Sequence, residues 1–182
     1  LRAAAKDAIA REAALSSQPA TENAVAVFPF RYVGSNADLA PVGRGLTQLM
    51  ITDLAKVSRL RLLEREQVQA LVDELALTES GKVDPANGAR SGRMLRASRV
   101  LQGSVQDVPS RSQIRLDAAM VNSTNASVVA TGTASDQLQQ LFAMQKQVLA
   151  ALIQQAVTRG LNPDVKLKPS GIFKRDPSGN LL

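Results

Sequence analysis

The sequence contains no cysteine, no histidine and no tryptophan. Without cysteine there are no disulfides, thiolate nucleophiles or thiolate metal sites. Without histidine there are no imidazole bases, no Ser-His-Asp triads and none of the usual zinc or haem ligands. Most common catalytic machinery is therefore absent, and the sequence predicts a protein that is not an enzyme and takes no cofactor and no metal. Aromatics make up only 3% of the residues, with Tyr32 the single tyrosine. Leu, Val, Ile and Ala must fill the core, and a platform for stacking bases would be poor. No apolar run approaches the roughly 20 residues of a membrane-spanning helix. Runs of five or six like charges are also missing, although 22 basic residues face 16 acidic ones, for a net charge of +6 and a pI near 10.2. A basic balance favours anionic partners, but interspersed charge makes the signal weak. The chain starts at Leu1 with no signal-peptide pattern and reads as a trimmed piece of something longer.

What is present suits one domain: 182 residues, 45% of them hydrophobic. Residues 1–16 are alanine-rich and predict one helix, with a linker over 16–23. Val25–Phe30 is a continuous apolar run, the mark of a strand covered on both faces, and Pro29 must end it or put it at an edge. Arg31–Leu39 reads as a loop, 41–58 as a helix with Leu46, Leu49, Met50, Leu54 and Val57 on one stripe, and Leu60–Leu63 as a second strand. A helix follows over 65–77, with Val68, Leu71, Val72 and Leu75 inward. After a loop over Thr78–Val83, Asp84 and Pro85 form an N-cap and first turn for a helix to about Arg96. Strands over 100–108, 112–121 and 127–134 make a meander turned at Pro109-Ser110 and Ser123-Thr124-Asn125. In the middle strand Ile114, Leu116, Ala118 and Met120 alternate with Gln113, Arg115 and Asp117. Asp136 and Gln139 form a capping box for a last helix reaching Arg159 and stopping at Gly160, with Leu138, Leu141, Phe142, Leu149, Leu152 and Ile153 buried. The order predicts an α/β fold, a mixed parallel and antiparallel sheet packed by helices. Its domain spans 23–160, preceded by the helix and linker 1–22 and followed by an irregular tail, 161–182.

Few motifs carry chemistry. Gly43-Arg44-Gly45 matches neither a P-loop nor a dinucleotide fingerprint, so it reads as a tight turn into a helix. Glu64, Glu66, Asp73 and Glu74 lie off the apolar stripe, as solvated faces do. Glu64 after a strand and Arg65 opening a helix suit a structural ion pair. Asp117, Ser123, Thr124 and Asn125 lack calcium-loop spacing. Arg90, Arg93 and Arg96 recur every third residue, with Arg99 just beyond, and make the best basic patch. A solvated helix face is the plainer account of the patch; a surface for an acidic partner is the functional one.

Taken together, VAVFPF, TDLAKVSRLRLLEREQVQALVDELAL and SGKVDPANGARSGRMLRASRVLQGSV resemble the CsgG family of curli-secretion lipoproteins and their relatives. They resemble more distantly the amino-terminal domain of TolB and LpoB-like activators. The residues that carry the likeness are Glu64-Arg65 after a strand, Ser80-Gly81 and Val83-Asp84-Pro85 at a loop-to-helix junction, and Gly103-Ser104 in the next strand. The resemblance implies a non-catalytic α/β domain in the bacterial periplasm, often at the outer membrane. In the secretion channel two long hairpins per subunit build a membrane barrel; the short turns of this sequence leave no room for them. The lipid-bearing amino-terminal cysteine is also missing.

The expectation is a cell-envelope domain for protein interaction or assembly, with Arg90, Arg93 and Arg96 as the candidate partner surface and a sheet edge beside Arg31–Leu39 as another. Its partners would be other envelope proteins or further copies of itself, with membrane contact only through an anchor or neighbouring domain. The alternative is a basic nucleic-acid-binding domain, against which the scarcity of aromatics and the resemblance both argue.

Overall fold

The computed structural model describes residues 1–58, 60–75, 84–108, 110 and 112–159. The segments Thr78–Val83 and 161–182, Pro109 and Gly160 lie outside them. Among the described residues, six strands form one sheet: β1 (Thr21–Val27), β2 (Arg31–Val33), β3 (Arg61–Leu62), β4 (Ala97–Val108), β5 (Gln113–Asn122) and β6 (Val128–Asp136). The order is β3-β1-β4-β5-β6, with β2 also beside β4. β1 runs parallel to β3 and β4, and β2 parallel to β4. The β4-β5-β6 meander is antiparallel. The expected mixed sheet is present, and β1 is an inner strand with Ala24–Val27 buried.

The alternation of β1 divides the core. Val25 and Val27 join Leu101, Val105, Leu116 and Met120 beneath α3 (Ala40–Leu54) and α6 (Leu141–Thr158). Ala26 and Phe28 face the other way, with Val100 and with Val68 and Val72 of α4 (Arg65–Glu74). Helix α5 (Pro85–Met94) also packs on β4, while α1 (Arg2–Ala10) lies on α4 and α2 (Glu12–Ser16) on α5.

Several expectations change. The helix over 1–16 breaks at Arg11, whose backbone leaves helical geometry. The linker is shorter than 16–23, because β1 begins at Thr21 and absorbs Asn23 as a positive-φ residue where the β1–β4 register slips. The loop over Arg31–Leu39 is partly ordered: Arg31–Val33 pairs with Ser104–Gln106 as β2, and Ala37–Leu39 is a turn of 3-10 helix. Three residues are too few for an alternation to register in sequence. Asp136 closes β6 rather than capping a helix; its carboxylate accepts the Gln137 N–H, and α6 starts at Leu141. Phe142 and Leu138 are exposed, at 63% and 39%, and Met144, Gln145 and Val148 are buried instead.

The outer edge of β6 is closed by α6. The Thr131 N–H donates to Gln155 Oε1 at 3.1 Å, and Gln155 Nε2 donates back to the Thr131 carbonyl at 2.7 Å. One side-chain amide thus occupies the place of a neighbouring strand's peptide group. Arg159 Nη1 covers the Val128 carbonyl at 3.2 Å. An uncovered edge is a template for pairing between chains. Gln155→Ala should leave the fold intact, since exposed hydrogen bonds contribute only about 1 kcal/mol, but should speed hydrogen exchange at the Thr131 amide. Unchanged exchange at Thr131 would mean that the side chain does not hold the edge.

Candidate interaction surface

Helix α5 begins as its sequence requires. Asp84 Oδ1 accepts from the Ala86 and Asn87 amides at 3.0 and 3.2 Å, with Pro85 in the first turn. Its inner face is built of small residues, Gly88, Ala89, Ser91 and Gly92, all buried. A Cβ on Gly92 would lie 2.1 Å from Ser123 Oγ and 2.8 Å from Val100 Cγ2, so the helix sits directly on the sheet. With that face inward, Arg90 and Arg93 fall on the flanks.

The three arginines have different surroundings. Arg90 is bound by Glu12 through two hydrogen bonds of 2.6 Å, joining α5 to α2. Arg93 Nη1 donates to the Ser123 carbonyl at 2.9 Å, tying α5 to the β5–β6 turn. Arg96 lies past the helix end with a φ of 55°, exposed, its carbonyl accepting the Thr21 N–H at 2.8 Å. Two of the three thus hold the domain together and Arg96 faces solvent. Glu12 could not be identified as a partner from sequence, because 78 residues separate it from Arg90.

The Arg90 guanidinium lowers the Glu12 pKa, chiefly through the hydrogen bonds, against an opposing effect of burial. A carboxylate pKa lowered by folding stabilises above the free-carboxylate value of about 4.3 and loses that contribution as pH falls through the lowered value. The protection of amides 12–16 against exchange, corrected for the intrinsic rate, should therefore fall as pH drops below the free-carboxylate range, and Glu12→Gln should lower it in the same way at neutral pH. A Glu12→Gln protein with wild-type exchange there would mean that the pair does not hold α2.

The other sequence candidates are structural too. Arg65 donates to Gln48 Oε1 at 3.0 Å rather than pairing with Glu64. Glu74 meets Arg2 and Lys6, and Asp73 accepts from Gln69. Asp117 is held by Arg115 and Thr133. Asn125 Oδ1 accepts from the Ser127 amide and hydroxyl within the turn. Among the described residues no cluster of acidic side chains could hold a metal ion. Gly43 lies in α3, where a Cβ would come 2.4 Å from the Phe30 carbonyl oxygen. Gly43 therefore serves close packing, whereas Gly45 faces open space.

The sequence places Arg99 just beyond the basic patch, and its burial was not foreseen. It stands on β4 in phase with Leu101 and Val105, opposite Val25 and Asn122. It is 9% exposed, its Nε has no hydrogen-bond partner, and burial pushes its pKa down. A buried guanidinium without a carboxylate is costly. The available signal was an arginine on the apolar side of a strand.

Comparison with known proteins places this geometry. The model of the curli production assembly/transport component CsgG matches residues 6–111. Lipoprotein GNA1162 from Neisseria meningitidis has a similar fold, at 15% identity and a TM-score of 0.51, over 77% of this chain and 99% of that one. The LpoB C-terminal domain from Salmonella enterica aligns at 14% identity and a TM-score of 0.49, over 72% and 93%. TolB from Acinetobacter baumannii aligns at 13% and 0.48, over 78% of this chain but 29% of its own. A search of curated proteins finds no match. Because the family match runs from α1 through β4, more than half of the sequence, the chain belongs to the CsgG family.

Proposed function

We propose that this chain is a non-catalytic domain of the bacterial cell envelope, in the periplasm or at the outer membrane, that works by binding or assembling with other envelope proteins. The observation that carries this reading is the family match over 6–111, to an assembly and transport component. Two further features support it. The β4–β5 and β5–β6 strands stay paired to within a few residues of their turns, which fits a domain without long membrane-spanning hairpins. Among the described residues, the cationic and acidic side chains that meet hold helices and strands in place rather than converging as a catalytic group.

The test uses the natural protein in its own cells. After chemical cross-linking and fractionation, it should sediment with the envelope and yield discrete adducts with envelope proteins or with itself. Recovery in the cytosol, or cross-linking to nucleic acid, would overturn the reading.

A further inference from the structure

The sequence holds a single Asn-Gly pair, Asn87-Gly88, in the first turn of α5. A following glycine leaves the backbone nitrogen free to approach the asparagine side chain, because it has no Cβ and few conformational limits. The Gly88 nitrogen can then attack Asn87 Cγ, giving up its proton to a base in water. Nδ2 leaves as ammonia, and a five-membered succinimide remains. Water opens that ring at one carbonyl or the other, yielding aspartate or isoaspartate. Water is the only co-reactant, and nothing is oxidised or reduced.

The structure holds each reacting group in another bond. The Gly88 N–H donates to the Asp84 carbonyl at 2.9 Å, directed away from the Asn87 side chain. Asn87 Nδ2 donates to Asp84 Oδ2 at 2.8 Å, and the Asn87 N–H donates to Asp84 Oδ1 at 3.2 Å. Ring closure requires that the Gly88 nitrogen be freed and that Asn87 leave helical geometry. Helix ends ordinarily fray, which would free such a turn often. This one is pinned to the sheet. The Asp84 N–H donates to Gln102 Oε1 at 3.1 Å, and the Asp84 carbonyl accepts from Gln102 Nε2 at 3.2 Å. Gly88 is buried so close to Gln102 that a Cβ there would come 2.1 Å from Nε2. The residue that makes Asn87 reactive is thus the one that lets α5 sit on β4.

We propose that Asn87-Gly88 is a latent modification site, silent while α5 is seated and converted by water when its first turn opens. Conversion runs one way. Isoaspartate carries the main chain through the side chain, one carbon longer, so the bond from Gly88 to Asp84 loses its register. Aspartate sets a second carboxylate where an amide donor met Asp84 Oδ2. Both changes fall just ahead of Arg90, whose guanidinium holds α2 through Glu12. The molecule thereby keeps a covalent record of α5 opening. This site is independent of the envelope-binding reading and needs no partner.

The full chain is incubated at mildly alkaline pH, folded and in guanidinium, then digested with trypsin, which cuts after Lys82 and Arg90 and releases residues 83–90. Mass spectrometry measures conversion of that peptide, and chromatography separates isoaspartate. The folded chain should convert more than about tenfold more slowly than the unfolded one, since ring closure is confined to the open fraction. Asp84→Ala removes the cap and Gln102→Ala the anchor, and each should speed conversion of the folded chain about fivefold. If these variants fold poorly, the wild-type chain in guanidinium below its unfolding transition replaces them, and its conversion should rise in step with hydrogen exchange at the Gly88 amide. Equal rates in the folded and unfolded chain, wild-type rates in folded variants, or Gly88 exchange that rises without conversion would each overturn the proposal. So would a purified isoaspartate form that keeps wild-type protection at Gly88.

Discussion

Gly43→Ala should destabilise the domain by about 2–3 kcal/mol, and Gly45→Ala, two residues along the same helix, should stabilise it by about 0.5–1 kcal/mol. Both replace a helical glycine with a better helix former. The difference lies outside the helix. A Cβ at Gly45 meets nothing within 4 Å, whereas one at Gly43 would sit 2.4 Å from the Phe30 carbonyl oxygen and 3.2 Å from the Tyr32 amide nitrogen. That neighbour is backbone and cannot swing aside. It is also held in place, since Thr47 Oγ1 accepts the Phe30 N–H and donates to the Gly43 carbonyl, both at 2.8 Å. The Gly43–Thr47 turn of α3 thus clamps the crossing from β1 to β2. Urea denaturation followed by circular dichroism measures both variants, and stabilisation by both would show that α3 is not seated on Phe30.

Leu101→Ala should cost about 3–4 kcal/mol, within the usual range for deleting a buried leucine side chain. Leu101 lies in the middle of β4, fully buried between Val27 and Met120, and its carbonyl accepts the Phe28 N–H. Phe142→Ala removes more atoms but from an exposed position, so it should change stability by less than about 0.5 kcal/mol. A large loss at Phe142 would show that its ring is packed against the domain, as the apolar stripe of the α6 sequence suggests.

Much of the scaffold could be read from the sequence because apolar periodicity is a local signal. The strand at Val25, the stripe Leu46–Met50–Leu54, the Asp84-Pro85 start and the alternation of Ile114 to Met120 all appear in place. The misread features depend on distant residues. β2 exists because Ser104–Gln106 offers a free edge beside it, and Arg90 meets a carboxylate from the first turn of α2. The expected capping box at Asp136 used local rules correctly, but the sheet claimed that residue first. The arginine spacing was legible, while the fate of each guanidinium was decided by packing. The small face of α5 turned Arg90 and Arg93 toward neighbours, and the helix end left Arg96 outside. Arg99 was visible only as part of a stripe it does not join.

The central claim, that this domain acts by binding or assembling with envelope proteins, is tested most directly by site-specific photo-cross-linking in the natural host. A photoreactive amino acid would be placed in turn at the exposed positions 44, 61 and 96. The account predicts a discrete protein adduct from one side of the domain and none from the others. The same adducts from every position, or no protein adduct from any of them, would contradict it.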